Sequence, residues 1–143
     1  MDEFEKKLCD EESVEFNVEG YPSPEFLDLV CHIKPTQVTL VPDPPEALTS
    51  SFGWNLKENK SFLTDVVSQL HKAGIRTSLF IDPDVTDIQL LSEIKTDRVE
   101  LYTFDYAHHF PINPEAAIAP YKNCVKQLSE LNITLNAGHD LNL

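Results

Sequence analysis

The stretch Val99-Glu100-Leu101-Tyr102-Thr103 decides how the rest of the chain is read. It has the alternating, β-rich composition of a short buried strand, with a carboxylate at its second position. An ionised carboxylate buried without partners is costly, so such a group is paired, metal-bound or chemically active. A salt bridge or a solvent-facing position accounts for one such residue equally well. The pattern recurs, however. Phe16-Asn17-Val18-Glu19, Val38-Thr39-Leu40-Val41 before Asp43, Leu79-Phe80-Ile81-Asp82, and Ile133-Thr134-Leu135-Asn136 before Gly138-His139 are also apolar β-type runs ending in polar groups.

Helical signals separate these runs. Asp2 to Cys9 reads as the end of a helix, with Phe4 and Leu8 on one side. Ser23 caps a helix opening at Pro24, with Phe26, Leu29, Val30 and Ile33 as its buried face and Pro35 as its stop. The loop from Pro42 to Asn59 exceeds the ~12–15 residues beyond which structureless loops are often functional, with Trp54 placed to tuck it down. A helix from Lys60 to Ala73 carries the stripe Phe62, Leu63, Val66, Val67 and Leu70 and closes at Gly74. A short helix from Thr86 to Ile94 shows Ile88, Leu91 and Ile94. Phe104 to Asn113 reads as a loop holding Tyr106, His108, His109 and Phe110. A last helix from Pro114 to Leu131 is expected to break or kink at Pro120.

Strands alternating with helices imply an α/β fold with a parallel sheet and right-handed crossovers. Two architectures satisfy this, an open doubly wound sheet and part of a (β/α)₈ barrel. Both bind ligands at the C-terminal ends of strands, where Glu19, Asp43, Asp82, Glu100, Thr103, Asn136 and His139 fall. No G-x-G-x-x-G or P-loop is present, which disfavours a nucleotide site of the usual kind.

The totals narrow the classes further. A length of 143 residues with 41% hydrophobic content suits one domain, residues 1–143, with a real core. A net charge of −13 argues against a nucleic-acid or anionic-membrane surface. No apolar run approaches the ~20 residues that span a bilayer, and the charged start, Met1 to Glu12, lacks a secretory apolar core. Cys9, Cys31 and Cys124 are scattered and odd in number, as in a reduced cytoplasmic protein. Arg76 and Arg98, the only arginines, sit at strand starts, the end opposite a ligand.

Five segments carry a resemblance in order along the chain: Phe16-Asn17-Val18-Glu19-Gly20-Tyr21-Pro22; Leu40-Val41-Pro42-Asp43 with Thr49-Ser50; Ala73-Gly74-Ile75-Arg76 into Ser78-Leu79-Phe80-Ile81-Asp82; Val99-Glu100-Leu101-Tyr102-Thr103 with Tyr106-Ala107; and Asn136-Ala137-Gly138-His139-Asp140-Leu141-Asn142. Together they resemble the pyridoxine 5′-phosphate synthase family. The resemblance implies a (β/α)₈ TIM barrel, of which this chain is a partial barrel of about five strands, the third to the seventh. It implies condensation of 1-deoxy-D-xylulose 5-phosphate with 3-amino-2-oxopropyl phosphate to pyridoxine 5′-phosphate, without metal or organic cofactor, by a homo-oligomer, usually an octamer. Carried over by position, Glu19 matches the general base, Glu100 a transition-state carboxylate, His139 the general acid and Thr49 a contact to the deoxyxylulose phosphate. Asp140 falls where many members have a glycine touching the other substrate, Tyr102 replaces a common histidine, and Asp43-Pro44-Pro45 replaces Glu-Lys-Arg.

A (β/α)₈ barrel is typically ~250 residues, so the chain is expected to be an interior fragment, or a truncated product, that is inactive alone. Two other readings stand beside this one. Glu19, Asp82, Glu100 and His139 could hold a divalent metal in another sugar-phosphate barrel enzyme, or the chain could be a non-catalytic paralogue.

Overall fold

Hydrogen bonding between strands that run the same way requires a crossover after each strand, and the helices read from the sequence provide it. The computed structural model describes residues 14–44 and 49–141. In it β1 (Asn17–Gly20), β2 (Gln37–Leu40), β3 (Arg76–Ile81), β4 (Arg98–Tyr102) and β5 (Thr134–Gly138) form one parallel sheet in the order β1-β2-β3-β4-β5. This order separates the two architectures. A doubly wound sheet reverses its direction of growth at a switch point. A sheet in which every strand pairs with the next has no reversal and forms the arc of a barrel. The chain is therefore α/β with a five-stranded partial TIM barrel.

Local chemistry places the helices. Helix α1 (Pro24–Ile33) begins with Ser23 Oγ accepting from the Phe26 N–H at 3.2 Å, and Pro24 takes the first position, where an N–H is not needed. Its buried residues are Leu27 and Val30, whereas Leu29, expected inside, is half exposed. The face is set by the strands it covers rather than by the best apolar spacing. Helix α2 (Leu56–Lys72) starts four positions earlier than its stripe suggests, because Asn55 caps the Glu58 N–H at 3.2 Å and Leu56 is buried. Gly74 follows it with φ of 79°, the left-handed position that suits glycine. Helix α3 is only Leu90–Ile94.

Two expectations for the later elements are corrected. Phe104–His109 is a helix, α4, not a loop. It lacks a side-chain cap, because the Thr103 hydroxyl donates instead to the Gly138 carbonyl at 2.6 Å. Tertiary bonds hold it: Tyr121 Oη donates to the Tyr102 carbonyl at 2.9 Å and accepts from the Tyr106 N–H at 3.4 Å. Helix α5 (Pro114–Glu130) runs through Pro120 without a break. The ~3 kcal/mol cost of an interior proline is offset by burial of Ala117, Tyr121, Cys124 and Leu128, at about 1.5–3 kcal/mol for each large side chain. The expected helix at Asp2–Cys9 lies outside the described residues. Among those described, no helix is long and apolar enough to cross a membrane.

Side chains on a strand alternate between faces, and here the two faces differ in kind. Val38, Leu40, Leu79, Ile81, Val99 and Leu101 are almost completely buried and pack with Val30, Leu63, Val67, Leu70, Leu91 and Leu128 of the helices. The other, inner face carries Asn17 and Glu19, Gln37 and Thr39, Arg76, Ser78 and Phe80, Arg98, Glu100 and Tyr102, and Thr134 and Asn136. At its N-terminal end the polar groups satisfy one another. Arg76 holds both oxygens of Glu15, at 3.0 and 2.7 Å, and donates to Gln37 Oε1 at 2.8 Å. Gln37 and Thr39 both donate to Asn17 Oδ1 at 3.1 Å. Both arginines thus lie at the end away from the strand C-termini and face Glu15, Arg98 at 3.7 Å.

Candidate active site

The residues singled out in the sequence lie in the five strands near their C-terminal ends or in the segments that follow them. Glu19 is the next-to-last residue of β1 and projects from the inner face. It is open to solvent on one side, yet surrounding protein raises its pKa above the ordinary carboxylate value. Burial is the main cause, with the negative charge of Glu100 second; His139 and the Ser50 hydroxyl act the other way. Glu19 therefore keeps an affinity for protons that an exposed glutamate lacks, which suits a general base.

Glu100 is the third residue of β4, half-buried on the same face. Its Oε2 accepts from Asn136 Nδ2 at 2.7 Å. Its Oε1 lies where a β-carbon on Gly138 would approach to 2.5 Å, so the glycine makes room for the carboxylate. His139 follows β5 directly. Its ring lies edge-on to Tyr102, with centroids 4.9 Å apart, and beside Phe80 at 6.4 Å. Thr49, in the loop after β2, places Oγ1 2.6 Å from His139 Nε2. Asp140 places Oδ2 2.5 Å from His139 Nδ1. All five candidates thus meet at one end of the sheet.

The other polar strand ends support this arrangement. Asp43 is buried, and its Oδ1 accepts from the backbone and side chain of Ser51 at 3.2 and 2.9 Å. Its Oδ2 has no partner among the described residues. Asp82 accepts from the Gly53 N–H at 2.9 Å, and burial raises its pKa despite that bond, with Asp84 and Asp105 adding to the rise. A β-carbon on Gly53 would lie 2.3 Å from the Asp82 backbone nitrogen, so the long loop reaches β3 only as glycine. Trp54 pins the same loop by donating Nε1–H to the Leu40 carbonyl at 2.8 Å.

Two cavities meet at Thr49 and Ser50. The larger, about 930 Å³, is lined by Asp82, Tyr102, Phe104, Tyr121, His139 and Asp140 among others, and the smaller, about 390 Å³, by Glu19, Tyr21 and Asp43. Among the described residues neither is lined by lysine or arginine. Burial raises the Tyr102 pKa first, and the charges of Asp140, Asp82, Asp105 and Asp43 add to it, so the field here is negative. Among the described residues no three His, Cys, Asp or Glu side chains converge as a metal site. Glu19, Asp82, Glu100 and His139 accordingly do not form the metal cluster that one sequence reading needs. Ser50, Gly53 and Gly138 were not foreseen as parts of the site. Ser50 and Gly138 fall inside segments that carry the resemblance, but a glycine gives no sign of what approaches it.

Comparison with known proteins bears on this geometry. A family model described as pyridoxal phosphate biosynthesis protein PdxJ matches residues 4–143. The chain belongs to the PdxJ family. It is 54% identical over 129 residues to the pyridoxine 5′-phosphate synthase of Bacteroides thetaiotaomicron, covering 90% of this chain and 54% of that protein. The protein of the same name from Cytophaga hutchinsonii is 48% identical over 131 residues, covering 92% and 55%. That of Flavobacterium johnsoniae is 44% identical over the same shares. The chain thus spans about half the length of the curated relatives it matches.

Proposed function

We propose that this PdxJ-family chain supplies the proton-transfer half of a pyridoxine 5′-phosphate synthase. In this reading 1-deoxy-D-xylulose 5-phosphate and 3-amino-2-oxopropyl phosphate condense to pyridoxine 5′-phosphate, phosphate and water. The observation that carries it is the gathering of Glu19, Glu100 and His139 at one end of the inner face, with the proton affinity of Glu19 raised by burial and by Glu100. Ring closure between an aminoketone and a ketose phosphate needs repeated proton transfers, and groups with separated proton affinities perform them near neutral pH. Glu19 takes protons as the base, Glu100 is held by Asn136 to face developing positive charge, and His139 returns protons to leaving oxygen. In this reading Thr49 contacts the deoxyxylulose phosphate.

Among the described residues the two cavities carry carboxylates and no lysine or arginine, the side chains that most often pair with phosphate. In this reading the phosphate-binding groups come from residues other than those described, and the 143-residue chain alone makes no product. The complete enzyme is a cytoplasmic homo-oligomer that uses no metal or organic cofactor, points that sedimentation and metal analysis test.

The direct experiment is to mix the complete enzyme with both substrates and follow the pyridine product by absorbance. Glu19→Gln, nearly isosteric but unable to accept a proton, is expected to lower turnover by about 10²–10⁴-fold, the usual worth of a positioned base, with the melting temperature retained. Near-normal turnover in that variant refutes the base role, and no product from the wild-type enzyme refutes the reading.

A further inference from the structure

Three side chains at the end of β5 form a run of hydrogen bonds that the condensation as described leaves unexplained. His139 is bonded on both ring nitrogens, Nδ1 to Asp140 Oδ2 at 2.5 Å and Nε2 to Thr49 Oγ1 at 2.6 Å. Adjacent side chains in a strand point to opposite faces, so neighbours face each other only if the backbone leaves the strand. It does so here. His139 has φ of 88° and Asp140 φ of 57°, two consecutive non-glycine residues in the left-handed region. Thr103 holds the turn from behind, its single hydroxyl hydrogen shared between the carbonyls of Gly138 and His139. Consecutive residues held in sparsely populated backbone regions cluster at functional sites.

We propose that Asp140 is a positioning residue: its carboxylate accepts Nδ1–H, fixes the His139 tautomer and aims Nε2 at Thr49 and the cavity. An ionised carboxylate only accepts hydrogen bonds, so Nδ1 carries the hydrogen. In the neutral ring the Nε2 lone pair then accepts the Thr49 hydroxyl. When the ring takes a second proton, that proton sits on Nε2. Donating it breaks the Nε2–H bond, forms an O–H bond on the departing oxygen, and returns the ring to the same neutral tautomer. Asp140 acts through His139, and this rests on the reading of His139 as the proton donor.

The test is the tautomer itself, read by long-range ¹H–¹⁵N correlation on ¹⁵N-histidine-labelled protein at alkaline pH, where the rings are neutral. His139→Gln identifies the signals by their loss. The wild-type ring is expected to show a pyrrole-like Nδ1 and a pyridine-like Nε2. Asp140→Gly keeps the turn, since glycine accepts positive φ freely, and is expected to release the ring into mixed tautomers. Asp140→Asn, whose amide oxygen still accepts, is expected to retain the wild-type pattern. In the complete enzyme, Asp140→Gly is expected to lower kcat by roughly 10–100-fold, the scale of losing the partner that orients a functional histidine, with KM for both substrates unchanged. A wild-type ring protonated on Nε2 overturns the proposal whatever the variants do. So does a glycine variant with the wild-type tautomer, or one whose KM rises while kcat stays. A wild-type protein with the expected tautomer but no pyridine product supports the proposal and removes the functional reading.

Discussion

Two histidine–aspartate pairs sit at opposite ends of this sheet. At the N-terminal end His71 Nε2 lies 2.8 Å from Asp97 Oδ2. That oxygen also accepts from the backbone and hydroxyl of Thr77, at 2.8 and 3.0 Å. Burial pushes the Asp97 pKa up, but these bonds outweigh it and the net shift is downward. At the C-terminal end Asp140 meets one side of its histidine, and the other side opens through Thr49 onto a cavity. Nearby, burial has raised Glu19 and Asp82, and Asp43 Oδ2 is buried without a partner among the described residues. The residue types are the same, but the surroundings differ. Where donors saturate a carboxylate it holds the fold together. Where they fall short, the group keeps the capacity to exchange protons.

Exchanging the histidines breaks or confirms this contrast most sharply. In the complete enzyme, His139→Ala is expected to cut turnover by about 10²–10⁴-fold with a small change in melting temperature. His71→Ala is expected to leave turnover intact. Paired kinetic and thermal assays check both, and equal losses of turnover erase the distinction. Next in size is Gly138→Ala. Its β-carbon meets Glu100 Oε1, the far end of a flexible side chain, at 2.5 Å. The carboxylate is expected to swing aside, lowering kcat about tenfold (~1.4 kcal/mol of barrel-end positioning) while denaturant midpoints barely move.

The remaining two effects are on stability and have opposite signs. Asp97→Ala strips the partner from Thr77 and is expected to cost roughly 1–2 kcal/mol near neutral pH by urea denaturation. Because the folded pKa of Asp97 is lowered, its contribution is present above the unfolded value of 3.8 and lost as the pH falls through the lower folded value. The difference from wild type is expected to shrink there. Glu19→Gln is expected to do the reverse and least. A carboxylate with a raised pKa is a penalty on the folded state once ionised. Removing it stabilises by under about 1 kcal/mol near neutral pH, given its solvent exposure. The gain is expected to vanish as the pH falls below the unfolded value of 4.5. Denaturation curves across pH for both variants test the signs, and parallel curves refute them.

The sequence by itself determined the succession of strands and crossovers, the parallel class, the cap at Ser23 and the helix start at Pro114, because periodicity and capping involve residues a few positions apart. It also placed Glu19, Glu100 and His139 at strand ends, and the arginines at strand starts. Tertiary structure alone decided between the barrel arc and the doubly wound sheet, because strand order depends on which backbone pairs with which. It decided that Leu27 rather than Leu29 is inside, and that Phe104–His109 coils into a helix held by Tyr121. Above all it decided which polar groups are satisfied. Glu100 finds Asn136, 36 residues away, and His139 finds Thr49, 90 residues away. Those partners exist only once parallel register has brought distant strand ends together, and it is burial at one end of the sheet that raises the proton affinity of Glu19 and Asp82.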